Sequence, residues 1–102
     1  MLTKKRRSDP DSGLYKALLE LKTTEEVYNF FLDLCTVPEM LAMEQRFEVA
    51  RLLSGGMIYA AIEEQTGASS ATVSRVNRSL NYGTGGYAMV LSRMEEDKNE
   101  PV

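Results

Sequence analysis

The chain has 102 residues, a net charge of −3, 43% hydrophobic and 26% charged residues, one cysteine and no histidine. That is the size and make-up of one soluble domain; it excludes a disordered chain, and no apolar run approaches the roughly 18 residues of a membrane span. Without histidine there is no Ser-His-Asp or Cys-His nucleophile and no ordinary zinc set, so neither an enzyme nor a metal site is expected. The carboxylate pairs Glu25/Glu26, Glu63/Glu64 and Glu95/Glu96 do not change this, because neighbours on a helix point about 100° apart and do not converge on one substrate.

Residues 1–10 read as a flexible basic arm. The segment MLTKKRRSDPDSG has no apolar stretch after its cations, so no secretory signal is expected and a cytoplasmic protein is the default. Asp11 or Ser12 caps a helix through LYKALLELK, in which Leu14, Leu18 and Leu21 share a face. Thr23 stands three residues before Glu26, the capping-box spacing, and opens TEEVYNFFLDLC with Val27, Phe30, Phe31 and Leu34 as its apolar stripe. Cys35, at the end of that run, reads as a buried small hydrophobe. Thr36, Pro38 and Glu39 start a third helix over 37–54, which Gly55-Gly56 stops. Short helices over 58–65 and 70–80 follow. The turn NYGTGGY leads to a last helix over 86–96, and an acidic tail, 97–102, frays. The fold class is all-α with six helices, in one helical domain over 11–96.

Thr66–Leu80, TGASSATVSRVNRSL, has the form of the turn and second helix of a helix-turn-helix spanning about 58–80. Gly67 supplies the residue that can take positive φ, and Ser69 caps the following helix. Val73, Val76 and Leu80 face inward against Ile62. Ser70, Ala71, Ser74, Arg75 and Arg78 point outward, small side chains first and arginines after, which suits a helix entering a major groove and gripping phosphate. Ser70, Ala71, Ser74 and Thr72 are placed at base edges; Ser69, Arg75, Arg78 and the arm Lys4, Lys5, Arg6 and Arg7 on the backbone. The same features also fit a helical corner with no nucleic-acid role, and the arm a solubilising tail.

Net charge is a poor guide to phosphate binding here. Thr66–Arg93 holds Arg75, Arg78 and Arg93 and no acid, and the acidic end, Glu95 to Glu100, sums to −3, leaving the rest of the chain neutral. What acts on a phosphate is the local field of one face. Apolar residues such as Phe30, Leu32, Met40, Leu41, Phe47 and Leu53 cover more than one face of the second and third helices, which points to a dimer interface, with a fully internal third helix as the competing reading.

The segment LLSGGMIYAAIEEQTGASSATVSRVNRSL resembles the core of the bacterial Trp repressor superfamily. With LCTVPEMLAMEQRFEVARLL before it and NYGTGGY after it, the pattern is similar to the Trp-repressor-related YerC/YecD family. The resemblance implies an intertwined homodimer that presents two reading helices to double-stranded DNA, with half-sites about one helical turn apart, as a transcriptional repressor. It also implies a candidate effector pocket between the third helix and the reading helix, formed by Gln45, Arg46 and Arg75. An amino acid such as tryptophan is not supported at Gln45, where the repressor has an arginine: Arg46 lies one residue on, turned by about 100°. Ala60 and Glu63 also stand where the repressor is basic. The alternative is a helical dimeric interaction module without DNA. Tyr82 and Tyr87 are read as bracing the last helix, or else touching DNA.

Overall fold

A computed structural model describes residues 7–99, which form six α-helices and no strand among the described residues. Lys4, Lys5 and Arg6 of the basic arm lie outside the described residues; Arg7 is exposed. The chain divides into two compact units, Met1–Val37 and Pro38–Val102.

In the first unit, α1 (Gly13–Leu18) is capped by Ser12 rather than Asp11: Ser12 Oγ accepts from the Leu14 amide at 3.4 Å. The helix stops at Leu18, short of the expected Lys22. The amides of Leu19, Glu20 and Leu21 bond back only three residues, to Lys16, Ala17 and Leu18, a tightened final turn. The Lys22 amide is then taken by Glu26 Oε1 at 2.9 Å, so the backbone is committed to the next helix before a longer α1 can form.

For α2 (Thr24–Leu34), Thr23 Oγ1 accepts from the Glu26 amide at 3.1 Å, as the spacing predicts. The return bond of the box goes to Lys22, one residue ahead of the Thr23 amide that the motif would use. No residue of α1 or α2 is buried. Val27, Tyr28, Leu32 and Leu34 are exposed, and Phe30 and Phe31 are half-buried with ring centroids 6.5 Å apart. Cys35 is half-buried rather than buried, because it sits on extended backbone at the helix end and not on the apolar stripe.

The second unit is built from α3 (Val37–Ser54), α4 (Tyr59–Thr66), α5 (Ser70–Tyr82) and α6 (Gly86–Asn99). Pro38 sits in the first turn of α3, where its missing N–H is no loss. The helix ends in a Schellman motif: Gly56 takes φ 88°, its amide bonds Leu53 O at 3.0 Å, and the Met57 amide bonds Leu52 O at 3.1 Å. Met57 then packs on the core cluster that contains Leu52. That cluster joins Val49, Ala50 and Leu52 of α3, Ile62 of α4, Ala68 of the turn, and Val73 and Val76 of α5, with Tyr87 of α6 against it. The end of α6 lies three residues beyond the expected 96. Glu95, Glu96 and Lys98 favour helix, and the next breaker in the sequence is Pro101.

Candidate nucleic-acid interface

The α4–turn–α5 corner owes its shape to a few local bonds. Gly67 ends α4 in the left-handed region at φ 74°, and its amide bonds Glu63 O at 2.9 Å. Thr66 Oγ1 donates to Ile62 O at 2.7 Å and accepts from the Ala68 amide at 3.1 Å, so one side chain ties the last turn of α4 to the connection. Ser69 caps α5, its Oγ accepting from the Thr72 amide at 3.1 Å. Helix α4 begins without a side-chain cap, at Ile58.

On α5 the two faces separate cleanly. At about 100° per residue, Val73, Val76 and Leu80 fall within an arc of about 60°, while Ser70, Ala71, Ser74, Arg75 and Arg78 span about 140° on the opposite side. Val73 and Val76 are buried against Ile62, and Leu80 is half-buried. All five outward residues are exposed. The outward arc therefore begins with three short side chains and continues with two guanidinium groups, and no carboxylate lies on it. Such a helix can approach the base edges with its first turns and phosphates with the arginines.

Thr72 lies off this arc. It is half-buried, and its hydroxyl is 3.0 Å from Ser69 Oγ, so it belongs to the helix cap. The two tyrosines part company. Tyr87 packs on the core and braces α6, whereas Tyr82, at the C-terminal end of α5, is 87% exposed and falls on the outward side with Arg75 and Arg78. Bracing is thus realised at Tyr87 alone. The sequence placed Tyr82 in a glycine-rich turn, and the two extra residues of α5 put it on the helix face.

Of the three residues of the candidate effector pocket, Gln45 alone lines the cavity beside it. A depression of about 390 Å3 beside Gln45 is lined by Leu41, Glu44, Gln45, Glu48, Gln65 and Thr66; Arg46 and Arg75 are exposed and do not line it. The amide of Gln45 is already engaged, donating from Nε2 to the Thr66 carbonyl at 3.2 Å. Glu48 pairs with Arg51, whose Nε donates to Glu48 Oε2 at 3.0 Å. That hydrogen bond lowers the pKa of the Glu48 carboxyl from its ordinary value; burial opposes it, and the charge of the guanidinium adds a lesser lowering. Glu44 and the Arg51-paired Glu48 line this cleft, and the arginine pair that could clamp the acid group of a free amino acid does not.

Among the described residues, no helix is long and apolar enough to cross a membrane, and no group of three His, Cys, Asp or Glu residues could hold a metal ion.

Comparison with known proteins agrees with this geometry. The Trp repressor protein family model matches residues 12–95. An uncharacterised protein of Bacillus subtilis, YerC, is 52% identical over 87 residues, which is 85% of this chain and 84% of that protein. Two solved structures superpose with a TM-score of 0.79. One, of a candidate Trp repressor from Staphylococcus aureus, is 49% identical and covers 81% of this chain and 83% of its own. The other, a TrpR-like protein from Eubacterium eligens, is 53% identical and covers 81% and 86% respectively. With six helices in the expected order, a helix-turn-helix corner and homology running through nearly all of them, the chain belongs to the Trp repressor family, alongside its YerC relative.

Proposed function

We propose that this protein is a sequence-specific DNA-binding transcriptional regulator that works as a homodimer, with α5 as its reading helix. The observation that carries this reading is the outward arc of α5, where Ser70, Ala71 and Ser74 lead to Arg75 and Arg78 with no acid among them, opposite a valine stripe that is fully buried. Membership of the Trp repressor family supports the same conclusion. Ser70, Ala71 and Ser74 meet base edges; Ser69, Arg75, Arg78 and the basic arm Lys4–Arg7 meet the backbone. With such short side chains, direct bidentate base contacts are few, and water bridges and DNA shape carry much of the specificity. Repression follows from occupying an operator.

The dimer is supported by what a single chain leaves uncovered. Neither α1 nor α2 has a buried residue, and Val27, Tyr28, Leu32, Leu34, Leu41 and Val90 are all exposed. A second copy covering these residues would resemble a core divided between two chains.

The test is enrichment of genomic DNA fragments by the purified protein at two salt concentrations, with the double variant Ser70→Glu/Arg75→Ala alongside. The expected result is salt-sensitive enrichment of a palindromic site that the variant loses. Binding to a protein partner with little salt dependence, and to no DNA at low salt, would replace this reading by that of a helical interaction module.

A further inference from the structure

Gln45 makes a bond that nothing in its own helix requires. It sits in the middle of α3, 21 residues from Thr66, yet its side-chain amide donates to the Thr66 carbonyl at 3.2 Å in a partly buried setting. Thr66 is the last residue of α4, and its carbonyl is one of those that a helix end leaves without an intrahelical donor. The same residue uses its hydroxyl to hold Ile62 O and the Ala68 amide. Thr66 is therefore a node: its side chain sets the course of the turn, and its carbonyl is held from α3. The apolar cluster beneath fixes how close α3 and the corner lie. It does so without direction, because valine and isoleucine contacts tolerate small rotations that a hydrogen bond does not.

We infer that Gln45 is a positioning residue for DNA binding, pinning the turn of the helix-turn-helix to α3 so that the reading helix is held at its docking angle. This rests on the DNA-binding reading above. Without the bond, the turn samples several orientations, DNA selects one of them, and affinity falls by the lost population of the competent one. A hydrogen bond of ordinary net strength corresponds to a loss of about two- to tenfold for each reading helix, and about 4- to 100-fold for a dimer that must dock two.

The test pairs Gln45→Met, of similar length but with no donor, with Gln45→Lys, which restores one. Amide hydrogen exchange at Gly67 and Ala68 reports the turn, and exchange at Val49 and Val73 reports the core. The inference expects faster exchange at the turn alone in Gln45→Met and recovery in Gln45→Lys. It also expects Gln45→Met to bind an enriched genomic fragment more weakly with an unchanged salt slope, at a temperature well below unfolding. Equal protection of the turn in Gln45→Met and wild type overturns the brace, whether or not DNA binds. Faster exchange at the turn with equal DNA affinity overturns its role in docking. If wild-type protein binds no fragment, the DNA-binding reading fails and the docking role falls with it, while the exchange data still decide the brace.

Discussion

Replacing Gly67 by alanine isolates the backbone demand of the helix-turn-helix. A Cβ built at this residue meets no atom within 4 Å, so there is no clash to relieve. The whole cost lies in holding an L-residue at φ 74°. That conformation costs a non-glycine residue about 1–2 kcal/mol. Alanine also stiffens the unfolded chain, which returns part of this, about 0.4–1 kcal/mol. The net loss is about 1 kcal/mol, or about 4–8 °C in Tm for a domain of this size. The control is Gly86→Ala, at the start of α6, where φ is not positive and the nearest outside atom is Thr84 Oγ1 at 3.9 Å. There the unfolded-state effect acts alone, and a gain of about 0.4–1 kcal/mol is expected. Both variants would be followed by thermal and urea unfolding at one fixed protein concentration, since Tm depends on concentration if subunits associate. Gly67→Ala at or above wild-type stability, or Gly86→Ala as damaging as Gly67→Ala, would refute the reasoning.

Two further outcomes follow from the surface of the same unit. Arg78→Ala is expected to weaken binding on every DNA sequence and to lower the salt slope by about one, whereas Ser74→Ala changes which sequences are enriched; equal losses on all sequences for both would count against these roles. By NMR titration, Glu48 should ionise below an ordinary glutamate, and Arg51→Ala should move it back up. Because the folded pKa is depressed, the pair adds stability above the unfolded Glu48 pKa and loses it as pH falls through the folded one. An unchanged Glu48 titration in Arg51→Ala would show that the pair does not form in solution.

Much of this protein was legible without coordinates. The bounds of α3, the cap at Ser69, the left-handed Gly67 and the inward valines of α5 all follow from rules that act within about four residues along the chain: a cap reaches N2 or N3, and a helix repeats its face every three or four residues. The same local rules mark Thr23 as a cap, and they fail one step further on, where Glu26 chooses the Lys22 amide and thereby ends α1 early.

What tertiary structure alone decided lies beyond that reach. Gln45 could be read only as a mismatch in an effector site; its bond to the Thr66 carbonyl exists because packing of α3 against the corner brings together residues 21 apart in sequence. Arg46 and Arg75 each look suitable for a ligand, yet neither lines the cleft at Gln45. Tyr82 and Tyr87 stand in one short motif, and only the length of α5 sends the first to the surface and leaves the second on the core. Sequence alone determined which residues turn and cap and which face of α5 is apolar, because those follow from neighbours along the chain. The tertiary structure decided which polar groups meet, since that depends on distances no local rule specifies.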